Sequence, residues 1–139
     1  MDNIIFEKVW QDDEVIELKI TGISQFVTAH QTCYIQDTNL REISNRIIDY
    51  SKEYSKQCYI EMGNKEGNFT PAFSMNILEA SKTGHVKVEV DIEIADTKER
   101  NHRCCFYVNS ELYALEKLGN KFRQLVSDVV GNKVSLNDM

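Results

Sequence analysis

The sequence predicts an α+β fold in two layers, in which a largely antiparallel sheet carries both helices on one face. Three observations support this prediction. Residues 86–95 alternate between β-branched and mostly charged side chains, which is the period of a strand with one buried face. Two segments, 40–54 and 112–129, instead repeat apolar residues every three or four positions, as amphipathic helices do. Short polar turns separate the other apolar runs, so neighbouring strands should pair antiparallel in the order βββ-α-ββββ-α.

Three strands are predicted in the N-terminal part of the chain. The first covers residues 3–10 and is followed by a polar turn. The second covers residues 15–21, where apolar and charged side chains alternate, and the third covers residues 25–36. β-branched and aromatic residues are frequent in these segments, which favours strands over helices.

A helix is predicted directly after the third strand. Asp37, Thr38 and Asn39 are all residue types that cap helix N-termini. The apolar stripe of this helix consists of Leu40, Ile43, Ile47, Tyr50 and Tyr54. We expect the helix to lie on the sheet by this stripe.

Four further strands form two predicted hairpins. The first hairpin joins residues 58–62 to residues 69–77 through a loop that contains two glycines. Pro71 indicates an edge, a bulge or a strand start, because proline cannot donate a ladder hydrogen bond. The second hairpin joins residues 86–94 to residues 102–108 through a charged loop.

Burial determines the register of the second hairpin. The apolar faces of both strands must meet in the core, and a slip of one residue would turn every side chain to the other face. This requirement places Val88, Val90 and Ile92 opposite apolar residues of the second strand. The outer face then carries three opposed pairs: Glu93 with Arg103, Asp91 with Cys105, and Glu89 with Tyr107.

A second helix is predicted to begin near Asn109 or Ser110 and to end at Gly131-Asn132, a typical C-cap. Its apolar stripe consists of Leu112, Leu115, Leu118, Phe122, Leu125 and Val129, widened by Val126. The chain shows no linker and no internal repeat. We therefore predict one domain over residues 1–132, followed by a loose C-terminal tail over residues 133–139.

Charge and hydropathy narrow the classes of partner. The 139-residue chain has a formal net charge of −6, which repels phosphate backbones and argues against a nucleic-acid partner. No apolar run approaches the roughly 20 residues of a membrane span, so no membrane partner is expected. The N-terminus lacks a basic region followed by a long apolar run, so the expected location is the cytoplasm.

Metal, cofactor and nucleophile chemistry are not predicted. The four cysteines form no C-x-x-C pair. Zinc would need the pair His30 and Cys33 to converge with the pair His102 and Cys104, but residues three apart on a strand, such as His30 and Cys33, face opposite ways. A nucleophile formed by Cys105 and His102 has the same difficulty and lacks an orienting acid. No cofactor, metal ligand or catalytic residue is therefore assigned, and the protein is not expected to be an enzyme.

The solvent face of residues 86–94 is the most informative surface of the sequence. Alternate positions place the carboxylates of Glu89, Asp91 and Glu93 roughly 6.6–7 Å apart along one strand. Acid–base catalysis by these groups would need a cleft that raises one pKa, and the sequence shows no sign of one. Tyr107, opposite Glu89, adds an aromatic side chain of the kind found in interface hot spots. We predict that these four residues bind a protein partner.

Three short strings resemble a known family. They are ELKITG at residues 17–22, GHVKVEV at residues 84–90 and SEL at residues 110–112. The strings resemble small bacterial immunity proteins of polymorphic-toxin loci, the wall-associated type, and related uncharacterised domains. These proteins share an early L-x-I-x-G strand, a late G-H-V/I-x-V/I strand and a final E-L helix over nearly the whole length.

The resemblance implies a non-enzymatic protein that binds and neutralises a cognate toxin made by the same cell. It fixes no binding residue, so the predicted site rests on the acidic strand alone. A basic toxin domain, such as a nuclease, would be attracted to that strand. The alternative is a small enzyme or ligand-binding domain with a pocket between sheet and helices. A homodimer formed through an unpaired sheet edge is also open.

Overall fold

A computed structural model of the chain describes residues 2–63, 71–94 and 97–137. The predicted loop of the first hairpin lies almost entirely outside these residues. The α+β class, the antiparallel pairing and the order βββ-α-ββββ-α are confirmed, and one short strand follows the last helix. The elements are β1 (Asn3–Gln11), β2 (Val15–Ile23), β3 (Thr28–Gln36), α1 (Asp37–Lys52), β4 (Cys58–Gly63), β5 (Pro71–Ile77), β6 (His85–Ile94), β7 (His102–Glu111), α2 (Leu112–Leu125) and β8 (Lys133–Ser135).

The described strands form two four-stranded antiparallel sheets. Sheet A has the order β3-β2-β1-β8, and sheet B has the order β4-β5-β6-β7. The division falls at α1, because a helix between β3 and β4 removes the short turn that would have paired them. Strand β3 instead lies against β4, β5 and β6 of sheet B, and the side-chain amide of Gln31 donates to the carbonyl oxygen of Glu93 at 3.2 Å.

One core is shared by both sheets and both helices, and Phe6 of β1 lies at its centre. The ring of Phe6 meets Phe73 of sheet B edge-on at 5.8 Å between centroids, and Phe122 of α2 at 4.7 Å. All three side chains are fully buried. Edge-to-face contacts of this kind add a favourable electrostatic component to the burial of apolar area.

The two helices pack closely against each other where Gly119 of α2 faces α1. A Cβ atom at position 119 would lie 2.7 Å from Cγ1 of Ile48 and 3.2 Å from the carbonyl oxygen of Ser44. The hydroxyl of Ser44 donates to the carbonyl oxygen of Gly119 at 2.5 Å. The absence of a side chain at this position therefore sets the distance between the helices.

The prediction that α2 begins near Asn109 or Ser110 is wrong by two to three residues. Strand β7 continues to Glu111, which pairs with His85 of β6, and the helix begins at Leu112. Ser110 does not cap α2. Its side chain is buried, with 7% exposure, and its hydroxyl donates to Oδ1 of Asn137 at 2.8 Å. Strand pairing with β6 is favoured here, because the first amides of a helix have no hydrogen-bond partner within that helix.

The expected loose tail is also corrected. Residues Lys133–Ser135 form β8, which pairs antiparallel with β1. Val134 and Leu136 are 9% and 2% exposed, and the amide of Leu136 donates to the carbonyl oxygen of Ile4 at 2.9 Å. Strand β8 thus occupies the free edge of β1 in sheet A, and the side chains of Val134 and Leu136 point into the core.

Lys8 ties β1 to the chain that follows α2. Its side chain is fully buried, and the ammonium Nζ donates to Val126 O at 3.1 Å, to Asp128 O at 2.7 Å and to Gln11 Oε1 at 2.7 Å. Desolvation lowers the pKa of Lys8, and the charge of Asp128 opposes that effect. A cation at these carbonyls also complements the negative end of the helix dipole.

Replacement of Phe6 by alanine should lower the free energy of unfolding by about 3–5 kcal/mol, because it leaves a cavity where the two sheets and α2 meet. Urea unfolding followed by circular dichroism measures this change. The matched control is Phe26→Ala, which removes the same atoms from a side chain that is 88% exposed. Equal stabilities of the two variants would contradict the central role of Phe6.

The protein should lose stability as the pH rises above 9. Burial raises the pKa of the Cys33 thiol from 9.0 to about 12, and the charge of Glu17 adds to the effect. Burial likewise raises the pKa of Tyr50 to about 12. The unfolded chain therefore releases these protons first, so the free energy of unfolding falls with rising pH, for Cys33 by about 1.4 kcal/mol per pH unit.

Urea unfolding between pH 8 and pH 11 tests this expectation, with Cys33→Ala and Tyr50→Phe as the informative variants. Each substitution removes one group that the folded state keeps protonated, so each should flatten the alkaline decline. An unchanged slope in the double variant would assign the decline to other residues.

Candidate protein-binding surface

The candidate surface is the outer face of sheet B, the face directed away from the shared core. The predicted register of the second hairpin is confirmed in full: Glu93 lies opposite Arg103, Asp91 opposite Cys105, and Glu89 opposite Tyr107. Arg103 is exposed, as this register requires. The alternation of β6 is also as predicted, with Val86, Val88, Val90 and Ile92 buried beneath the face.

One row of side chains crosses all four strands of this face, and we name it the tyrosine row. It consists of Tyr59, Asn76, Glu89 and Tyr107, which are paired neighbours on β4, β5, β6 and β7. Tyr59 and Tyr107 are 47% and 52% exposed. With strands 4.7–4.9 Å apart, the backbones that carry the two tyrosines are separated by about 14 Å.

Each tyrosine of the row is held by a carboxylate. The hydroxyl of Tyr107 donates to Oε2 of Glu89 at 2.9 Å, and the hydroxyl of Tyr59 donates to Oε2 of Glu61 at 2.9 Å. The bond to Glu89 and its negative charge raise the pKa of Tyr107. Both rings are thus oriented before any partner arrives, which lowers the entropic cost of an interface that uses them.

Asp91 differs from its neighbours because it is bound inside the molecule. Its side chain is 11% exposed, and Arg103 clamps it with two hydrogen bonds, Nη2 to Oδ2 at 2.6 Å and Nε to Oδ1 at 3.1 Å. This carboxylate raises the pKa of Arg103. Arg103 therefore reaches diagonally to Asp91, although its backbone lies opposite Glu93.

The negative stripe predicted along β6 is consequently interrupted. Glu89 is exposed and Glu93 is half-buried, while the charge of Asp91 is compensated by Arg103. The four residues of the predicted site do not include Tyr59 or Glu61, which extend the surface to the far edge of sheet B. Their alternation with buried residues was visible in the sequence, but the pairing of β4 beside β5 was needed to align them with β6.

A second feature lies at the end of sheet B, where a cleft of about 830 Å³ opens between the β5–β6 connection, the end of β7, Asp2 and Asn137. Inside it, Nδ1 of His85 lies 2.9 Å from Oε1 of Glu111. The two side chains are 69% and 56% exposed. The sequence did not place His85 in a site, because its pairing with Glu111 depends on the three residues by which β7 extends beyond the predicted end at residue 108.

The residues considered as metal ligands do not converge. His30 is exposed and Cys33 is buried, as their three-residue separation on β3 requires. Across the described ranges, no group of three or more His, Cys, Asp or Glu side chains is arranged to hold a metal ion. None of the helices in the described residues is long and apolar enough to cross a membrane.

Comparison with known proteins adds no further assignment. No family model, no curated protein and no solved structure matches this chain. The candidate surface is therefore defined by its geometry and charge alone.

Asp91 and Glu93 should differ in their effect on stability, although both are carboxylates on the same face of β6. Asp91→Ala should lower the Tm clearly, because it removes a bidentate partner and leaves the Arg103 side chain without its clamp. Glu93→Ala serves as the control and should change the Tm little. Differential scanning calorimetry measures both, and a larger loss in Glu93→Ala would refute this division.

Proposed function

We propose that this protein is a non-enzymatic binding domain, an immunity protein that neutralises a toxin by covering it with the outer face of sheet B. The observation that carries the proposal is the tyrosine row, two half-exposed tyrosines about 14 Å apart with an exposed glutamate between them. No helix of the described residues is placed over this row, since α1 and α2 pack into the core on the other side.

The tyrosines supply the expected anchors of such an interface. Tyrosine buries a large area with few rotatable bonds, and it is enriched among the residues that dominate binding energy. Because Glu61 and Glu89 already orient the two rings, contact with a partner orders little that was mobile before. Tyr107 thus keeps the partner-binding role that its position opposite Glu89 suggests.

The negative charge of the protein and of the proposed face favours a basic partner. The chain has a net charge of −6, and Glu61, Glu89 and Glu93 lie on the proposed face. Such a face attracts a basic surface at long range and accelerates association. A toxin with a basic substrate groove, such as a nuclease, fits this chemistry. Asp91 would contribute indirectly, by holding Arg103 in place, and would not contact the toxin itself.

The cleft at His85 and Glu111 favours a second function, binding of a small ligand or a reaction on it. Histidine paired with a carboxylate is a common acid–base arrangement. However, the hydroxyl of Ser110 in the same cleft is committed to Asn137, and both members of the pair are more than half exposed. An exposed pair without an aligned nucleophile supports catalysis less well than the opposite face supports binding.

Association with a basic toxin domain, such as a nuclease, tests the proposal. Glu89→Lys combined with Glu93→Lys should slow association about tenfold or more at low salt and weaken its salt dependence, because the steering field is reversed. Surface plasmon resonance at several salt concentrations measures both effects. The control is Glu116→Lys on the exposed face of α2, which reverses one charge at a distant site and is compared with Glu89→Lys alone.

Asp91 is left unchanged in this experiment, since its reversal would place two cations together and disturb the fold. Tyr107→Ala completes the set and should mainly raise the dissociation rate. If the glutamate and tyrosine variants keep their association and dissociation rates and His85→Ala loses binding, the toxin binds at the cleft and not at the outer face of sheet B.

A further inference from the structure

We propose that two copies of this chain pair through β7 and join their B sheets into one antiparallel sheet of eight strands. Strand β7 is an edge strand of sheet B, and its ten residues pair with β6 in an unbroken register. A long, regular edge of this kind presents unpaired backbone groups and is a template for another strand. The inference does not rest on toxin binding.

The direction of the free backbone groups follows from one hydrogen bond. The amide of Asn109 donates to Oδ2 of Asp2 at 2.8 Å and therefore points away from β6. In an antiparallel ladder this direction alternates along the strand, so the amides of Arg103, Cys105 and Tyr107 also point outward. Within the part of the chain that the structure describes, none of these three amides has a hydrogen-bond partner.

The other edges of the two sheets are shorter or partly occupied. On β3, the amide of Thr32 is capped by the side chain of Gln31 at 3.2 Å. On β4, the carbonyl oxygen of Tyr59 accepts a hydrogen bond from Arg46. Strand β8 has only three residues. Proteins prevent unwanted strand pairing by occupying the backbone groups of an edge strand in this way. Among the described residues, none occupies the outward amides of β7 over residues 102–107.

One register of the pairing uses every free amide. If the two-fold axis passes through Cys105, Arg103 lies opposite Tyr107 of the second copy, and the two Cys105 residues oppose each other. All three outward residues of both copies then exchange hydrogen bonds, six in total. Moving the axis towards Tyr107 would require the amide of Asn109, which Asp2 already occupies. An axis at Arg103 would oppose two arginines.

The side chains suit the same register. On the outer face this register opposes Arg103 to Tyr107 of the second copy, so no two like charges face each other across the axis, and both side chains keep their bonds to β6. On the inner side, Cys104 and Phe106 are only half-buried in the single chain. They would lie opposite each other across the axis and lose their remaining exposure to water.

Sedimentation equilibrium on the full chain tests the pairing. Wild-type protein should sediment at twice the mass of one chain, and Cys105→Pro should raise the dimer Kd by about 100-fold or more. Proline removes an amide that the single chain does not use, and it is tolerated where an edge amide faces solvent. A wild-type protein that is monomeric at its solubility limit would overturn the proposal.

A second substitution keeps the test decisive if Cys105→Pro fails to fold. Cys105→Lys opposes two lysines across the axis and should also dissociate the dimer. The matched control is Tyr59→Lys on β4, which adds the same charge to the same face at the other edge of sheet B and should leave the mass unchanged. Dissociation by both lysines alike would refute β7 as the interface.

Oxidation of the cysteines to a disulfide tests the register, because it can link only residues that lie opposite each other. Opposed residues of a hydrogen-bonded pair have Cα atoms about 5.5 Å apart, within the range that a disulfide spans. A Cys104→Ser variant should therefore form a covalent dimer, and a Cys105→Ser variant should sediment as a dimer without the covalent link. Cross-linking that depends on Cys104 would disprove this register.

Discussion

The structure depends on one constraint, which is that two sheets and two helices must bury their apolar faces in a single core. Phe6 is where this constraint is most evident, because its ring contacts sheet B through Phe73 and α2 through Phe122. All buried apolar side chains of the described residues belong to this one cluster, so the other face of each sheet has no apolar layer of described residues over it. The availability of the outer face of sheet B is thus a consequence of how the core is filled.

The composition of that outer face reflects two different uses of charge. Glu61 and Glu89 hold tyrosine hydroxyls at the surface, whereas Asp91 lies deeper and is compensated by Arg103. A largely buried carboxylate without a partner would be costly, so the clamp belongs to the fold more than to binding. The exposed carboxylates are held by weaker contacts and remain able to interact with a basic surface.

Several corrections have one common cause, the contribution of hydrogen bonds between segments that are distant in the sequence. Strand β7 extends to Glu111 because β6 offers partners there, and β8 forms because β1 has a free edge. Val134 and Leu136 carried a visible signal in their alternation, but two apolar residues are too few to predict a strand alone. The buried ammonium of Lys8 had no signal at all, since a lysine in a strand usually faces solvent.

The sequence by itself determined the class of the fold, the order of its elements, the two faces of β6 and the register of the β6–β7 hairpin. These properties follow from periodicities of two and of three to four residues, which the covalent geometry of the chain imposes locally. Only the tertiary structure decided that the strands divide into two sheets, that Arg103 binds Asp91 diagonally, and that Tyr59 joins the same surface. Each of these depends on distances through space between segments whose local patterns are compatible with more than one arrangement.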